Sequence, residues 1–331
     1  MNLPELLSPA RDLDSVQAAI KAGADAIYIG PTSFNLRGKI SNFSFVEIDK
    51  AVQLSHRSSR FLYVTVNSGP RDSDFDELEK LLLSLNKIPV DALIVWDPGV
   101  LWLIKQLGID HKIHLSTMSC TLNLRAVQFW AEQGISRVNL ARELSYEEVM
   151  SIKNSSPIQI EVFVHGSMCI AYAGRCILSN YLLNRDTHKG LCSTPCRWKY
   201  RILHPIDSRS KRQLFLKEDE ESAYILNSKN LCLIGRIPEL IDAGIDCLKI
   251  EGRQHNSIYV KEITSIYRKA LDSYAYFPNT YLVRPEWLKV LKKYGERGYW
   301  EGFMFEEATE NSQNFTTRGP SAKTLNIDYS T

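Results

Sequence analysis

Short apolar runs alternate along the chain with longer stretches whose apolar positions recur every three to four residues. The short runs predict strands at Glu5–Ser8, Ala26–Gly30, Leu62–Asn67, Ala92–Val95, Ile113–Leu115, Arg137–Leu140, Ile160–Val164 and Cys247–Ile250. Between them, helical periodicity covers Leu13–Ala22, Phe45–His56, Phe75–Leu85, Val100–Leu107, Leu122–Gln133, Ser145–Lys153 and Cys232–Ala243, and a last helix at Ile258–Tyr274 follows the final strand. Strand and helix in alternation are the mark of a parallel sheet with crossover helices. Several helices end on the same phrase, as at Ala22-Gly23-Ala24-Asp25, Gln133-Gly134-Ile135-Ser136 and Ala243-Gly244-Ile245-Asp246, where glycine can take the left-handed cap. An open doubly wound sheet would show a glycine-rich phosphate loop after its first strand, and neither GxGxxG nor GxxxxGK[ST] occurs. The prediction is therefore an α/β protein, a TIM-like (β/α)8 barrel over residues 1–305. An insertion at 166–229 follows its seventh strand, and a polar, loose tail is expected at 306–331.

In such a barrel the chemistry belongs where the strands end and the βα loops gather. Tyr28, Asn35, Arg37, Asn67, Trp96, Asp97, Ser116, Arg142, Glu143, His165, Glu251 and Arg253 fall at those positions. Loops are polar wherever they lie, so each residue taken alone carries little. The insertion begins on the same rim and changes the picture. Four of the seven cysteines lie in it, Cys169, Cys176, Cys192 and Cys196, spaced C-x6-C-x15-C-x3-C. Folded back, this stretch can bring four sulfurs to one point, the requirement of a tetrathiolate metal site. Spacing alone leaves zinc and iron–sulfur open. Zinc favours close knuckles such as Cys192–Cys196, whereas a cube tolerates wider spacing because each thiolate binds a different iron. Cys120, Cys232 and Cys247 are expected in the core, with Cys232 a substitute ligand should one of the four be misassigned.

Composition narrows the class further. The net charge of +2 does not by itself announce a nucleic-acid binder, so such a surface would have to come from local clustering. Arg197-Trp198-Lys199-Tyr200-Arg201, followed by Arg209, Lys211 and Arg212, interleaves cations with aromatics as a base-stacking surface does. It also reads as a solvated hairpin, with Lys217-Glu218-Asp219-Glu220-Glu221 offsetting the charge. The first residues carry no basic run ahead of an apolar core, and no stretch is long and apolar enough to span a bilayer. A cytoplasmic location is expected, where seven cysteines point to metal or redox chemistry rather than to disulfides.

These residues resemble the collagenase-like peptidase family U32. The likeness runs through Glu5-Leu6-Leu7-Ser8-Pro9-Ala10, Gly23-Ala24-Asp25-Ala26-Ile27-Tyr28-Ile29-Gly30, His114-Leu115-Ser116, Arg142-Glu143-Leu144-Ser145 and Val164-His165-Gly166. It continues through the four cysteines with Gly174-Arg175-Cys176 and Cys196-Arg197-Trp198, then Asn227-Ser228-Lys229 and Lys249-Ile250-Glu251-Gly252-Arg253. The resemblance implies oxygen-independent hydroxylation with a 4Fe-4S cluster on Cys169, Cys176, Cys192 and Cys196. One branch of the family makes 5-hydroxyuridine at the tRNA wobble position and depends on prephenate metabolism. A second hydroxylates a ribosomal RNA cytidine, and a third acts as a two-protein complex on ubiquinone precursors. The cysteine block is most similar to the tRNA branch, whose members commonly carry a further C-terminal β-barrel that this chain leaves no room for; its length is nearer that of the ubiquinone-pathway subunits. The expectation is a tRNA uridine hydroxylase with prephenate as donor, working with tRNA and with a protein partner or electron donor. His165, Glu251 and Arg253 are the catalytic candidates; Arg142, Asn67, Lys229 and Arg197 are the substrate-binding ones. Glu251 and Arg253 also read as an ion pair closing the rim. The rivals are a peptidase, although HExxH and G-x-S-x-G are both missing from the sequence, and a non-enzymatic RNA-binding subunit.

Overall fold

The computed structural model describes residues 2–37, 42–200, 224, 226–309 and 312–315. All eight predicted strands form: β1 (Glu5–Pro9), β2 (Ala26–Ile29), β3 (Phe61–Thr65), β4 (Ala92–Val95), β5 (Lys112–Leu115), β6 (Ile135–Asn139), β7 (Gln159–Gly166) and, after a short rim strand β8 (Asn230–Cys232), β9 (Cys247–Ile250). From β1 to β7 each strand pairs in parallel with the next, and β9 pairs in parallel with both β7 and β1. The result is a closed, eight-stranded, TIM-like parallel barrel.

The outer helices start where the sequence supplies caps. Asp12 caps α1 (Leu13–Lys21), Asp97 caps α4 (Pro98–Gln106), Asn123 caps α5 (Leu124–Glu132) and Asn256 caps α9 (Ser257–Tyr276). Reciprocal capping boxes, Ser44 with Glu47 and Ser145 with Glu148, open α2 (Phe45–Arg57) and α6 (Tyr146–Ser155). Asp97, one of the expected rim residues, is thereby spent on backbone amides. The remaining helices are α3 (Phe75–Leu85), α7 (Leu178–Leu183), α8 (Ile237–Asp242) and α10 (Pro285–Tyr294).

The helix expected over Cys232–Ala243 is shorter than its periodicity suggested. Pro238 cannot donate an amide and suits a first turn, so α8 starts at Ile237. The residues before it pair antiparallel with the end of β7 instead, His165 opposite Cys232, and β10 (Tyr299–Trp300) adds to β8. Ser312–Asn314, within the expected tail, return to Asn227–Lys229 through backbone hydrogen bonds. Arg201, Arg209, Lys211, Arg212 and the acidic run after them lie outside the described residues.

Apolar side chains fill the space between barrel and helices, while the barrel interior holds a smaller cluster of Leu7, Tyr28, Tyr63, Ile94 and Cys247 with buried charges beside it. Glu161, 2% exposed, accepts from Lys249 Nζ at 2.8 Å and from Asn139 at 2.7 Å. Arg137 is bound to Glu5 (2.6 Å) and lies 3.7 Å from Glu161. These charges pair with one another across four strands and so tie the closed barrel together.

Candidate metal centre and rim cavity

The chain leaving β7 crosses the barrel mouth and is fastened to one βα loop after another. Ser167 N donates to Glu251, Ala173 N to Glu143, and Gly69 N to the His188 carbonyl, while Lys189 pairs with Asp74 and Arg71 with Asp186. Trp96 meets the His188 ring edge-on. Gly174 takes φ +71° with its α-carbon facing the Met118 carbonyl, which a β-carbon would approach to 2.3 Å, so only glycine lets the strap lie this close.

Along this strap sit the four cysteines, all as free thiols. Burial pushes the Cys196 thiol up to about 12; Arg197 pulls it down, and neighbouring Cys169, Cys192 and Cys176 push it further up. Cys176 is raised by burial and by Cys169 and Cys192. The four sulfurs are thus electrostatic neighbours. Two of them already accept backbone amides, Cys192 from Thr194 (3.4 Å) and Cys176 from Leu178, and at Cys176 this offsets only part of the effect of burial. The expected convergence on a single point is not what is seen: among the described residues no three His, Cys, Asp or Glu side chains are placed to hold one metal ion. Cys247 is instead a buried neighbour of Glu161 and Glu5, and Cys232 faces the Tyr267 hydroxyl at 3.8 Å.

Beside the thiols opens a cavity of about 370 Å3 lined by Arg197, Glu251, His255, Lys293, Tyr294 and Arg297 among others. Glu251 accepts from Arg37 (3.0 Å) and from Ser167 N (3.1 Å). Burial would raise its carboxyl, but Arg37, His255 and those hydrogen bonds outweigh it and hold Glu251 at about 2, ionised. Arg253 does not pair with Glu251. Gly252 turns the chain at φ +157° against the Tyr259 ring, and Arg253 runs the other way to Thr65, Asn35 and Asn42, packed on Gly30. It is 4% exposed, and burial without a contacting carboxylate lowers it to about 10. Its place is to fasten the loop after β2 to β3.

His165 lies away from the cavity, 1% exposed, ringed by Tyr259, Tyr267 and Tyr299, with Nδ1 3.3 Å from the Tyr267 hydroxyl. Burial lowers it to about 3 despite Glu251, so it is neutral at physiological pH. Unfolded, it titrates near its ordinary 6.5, so between these values the unfolded chain binds more protons. Stability contributed by neutral His165 is whole above about pH 6.5 and drains away as pH falls toward 3, at up to about 1.4 kcal/mol per pH unit. Glu251 adds to the loss only below about pH 4.3. Urea unfolding from pH 7 to 5 should therefore show a shallower pH slope in His165→Leu than in wild type; equal slopes would exclude a buried neutral histidine.

Of the expected substrate-binding residues only Arg197 lines the cavity, its Nε buried without a hydrogen-bond partner. Arg142 donates to the Ser167 carbonyl (2.8 Å) over the Phe163 ring, and Asn67 accepts from Leu36 N. Lys229 packs its stem against Gly298. Trp198 is 6% exposed and so unavailable for stacking. His255 and Arg297 were not foreseen. Arg297, 3% exposed, donates to Ser228 O, Ser167 Oγ and Asn230 Oδ1, and burial together with Arg197 lowers it to about 10. A charged residue inside the ordered, glycine-bounded run Gly295–Gly298 was the available signal.

The family model described as peptidase family U32 matches residues 11–314. The chain belongs to peptidase family U32. Within U32, a protein named tRNA hydroxylation protein P1, from Bacillus subtilis (strain 168), is 38% identical over 323 residues, covering 94% of this chain and 76% of the relative. The tRNA hydroxylation protein P of Escherichia coli (strain K12) is 34% identical, covering 94% of this chain and 77% of its own length. A third U32 relative, tRNA hydroxylation protein P2 of Bacillus subtilis (strain 168), is 31% identical over 93% of this chain and 99% of its own length. No helix among the described residues is long and apolar enough to cross a membrane.

Proposed function

We propose that this chain is an iron–sulfur protein that hydroxylates tRNA without molecular oxygen, converting the wobble uridine to 5-hydroxyuridine, with prephenate as the hydroxyl donor. The observation that carries the reading is the strap of four neighbouring thiols beside a polar cavity on the C-terminal rim of the barrel. Relatives of 31–38% identity named for tRNA hydroxylation support the substrate class. The resemblance of the cysteine block favours a 4Fe-4S cube over tetrahedral zinc, and its wide C-x6-C-x15-C-x3-C spacing is compatible with a cube, in which each thiolate takes a separate iron. Such a cluster on Cys169, Cys176, Cys192 and Cys196 would supply one-electron redox chemistry at the cavity wall.

The chain's own residues do the rest. Arg197, which lines the cavity and whose Nε has no hydrogen-bond partner, is the cation for the carboxylates of a small donor. Glu251, kept ionised by Arg37, is a fixed acceptor, and it can take a proton only at the cost of that ion pair. His255, in the cavity and stacked 3.9 Å over Tyr259, is the histidine placed to move a proton there. His165 acts through Tyr267 and Cys232 as packing beneath the strap.

Mass spectrometry of tRNA nucleosides from a deletion strain tests the reading. Loss of 5-hydroxyuridine-derived nucleosides, restored by the wild-type gene, is expected. Unchanged nucleosides would overturn it, and a defect in anaerobic quinone synthesis in their place would point to the ubiquinone-pathway alternative.

A further inference from the structure

A second concavity lies on the flank of the barrel, a groove of about 660 Å3 between α9 and α10. Along α9, Lys261, Ser265, Lys269, Asp272, Ser273 and Tyr276 recur every three or four residues and so form one face of the helix. Trp287 and Val290 of α10 make the opposite wall. The lining holds three bases, Lys261, Lys269 and Arg284, and three acids, Glu262, Asp272 and Glu286, but two of the acids are taken up by ion pairs. Glu262 is taken up by Lys293 (3.3 Å) and by the Tyr294 hydroxyl (2.7 Å), and Asp272 by Arg268 (2.9 Å). Lys261, Lys269 and Arg284 make no ion pair among the described residues, against Glu286 as the unpaired acid of the lining. Lys261 and Lys269 stand about 12 Å apart along the helix axis, a line of positive charge rather than a point. At its far end Tyr276 and Phe277 are 78% and 65% exposed, and Arg284 lies 5.6 Å over the Trp287 ring. Both rings leave most of their surface to solvent.

The groove also has a direction. Lys293 and Tyr294, at the end of α10, line the rim cavity, and both hold Glu262, which lines the groove. Groove and cavity therefore meet at the top of α10, beside the thiol strap.

We propose that the groove between α9 and α10 is an RNA-docking surface, in which Lys261, Lys269 and Arg284 contact phosphates and Tyr276 and Phe277 stack exposed bases, leading the strand toward the rim cavity. A line of cations beside exposed rings matches a polyanion whose monomers each carry a flat face; an acidic peptide supplies the charge without the stacking partner. This assignment rests on the tRNA reading and adds to it the surface that holds the RNA.

The test is binding of the full-length protein, purified without oxygen, to an anticodon stem-loop RNA over a series of salt concentrations. Lys261→Ala and Lys269→Ala should weaken binding and lower the logarithmic salt slope by about 0.7 for each cation removed. Tyr276→Ala with Phe277→Ala should weaken it about fivefold or more at every salt concentration, with the slope unchanged. Thermal unfolding like that of wild type shows that these surface variants fold. Wild-type affinity and slope in all of them would overturn the groove while leaving the tRNA reading intact. Intact RNA binding with loss of a co-purifying protein would make the groove a protein-docking site and also overturn the proposal. A wild-type protein that binds no RNA, together with unchanged tRNA nucleosides in the deletion strain, would remove the functional reading and this surface with it.

Discussion

Purified without oxygen, the wild-type protein is expected to be brown and to carry about four iron and four sulfide per chain, and Cys176→Ala to lose most of both. The strap's four thiols are each half-buried or exposed. Removing one of the four thiolates would leave one iron of the cube without its protein ligand. Activity in the nucleoside assay should fall to the level of the deletion strain. Cys232→Ala is the control, because its sulfur faces Tyr267 behind β7, and it should keep full iron content. Colourless, iron-free wild-type protein holding stoichiometric zinc would sink the cluster assignment, as would a Cys232→Ala variant that loses iron equally.

The second large effect lies at the other end of the molecule's electrostatics, inside the barrel. Glu161→Ala is expected to destabilise the fold by about 3–5 kcal/mol in urea unfolding, because it leaves Lys249 and Arg137 as buried charges with part of their compensation gone. Lys249, 6% exposed at the side chain, would keep only the faces of Tyr28 and Phe163. Replacing Glu161 and Lys249 together, by Leu and Met, should cost much less than the single change, since the expense arises from an unpaired charge and not from loss of an attraction. A loss below about 1 kcal/mol for Glu161→Ala, or a double variant as unstable as the single one, would show that the pair is not buried as described.

Much of this protein was legible residue by residue. Strand and helix alternation and the glycine phrases at helix ends depend on neighbours within about four positions, so they could be read directly. The density of cysteines between the seventh and eighth barrel strands was equally plain. Elsewhere local pattern misled. The periodicity at Cys232–Ala243 was overridden when the end of β7 offered its edge to β8, and the alternation of cations and rings at Arg197–Tyr200 concealed a buried Trp198.

What only the tertiary structure decided is partnership. Glu251 takes Arg37, 214 residues away, rather than Arg253 two residues on, and Arg297 reaches Ser167 across 130 residues. His165, on the expected rim, is claimed by three tyrosines from α9 and β10, and His255 stands in the cavity in its place. Such choices follow from barrel closure, which sets strands distant in sequence side by side and leaves each buried polar atom to find its partner among whatever arrives. The sequence by itself determined the barrel, because the periodicity of its strands and helices is local. Which charges meet, which histidine faces the cavity and which helix face stays open depend on contacts the linear pattern does not contain.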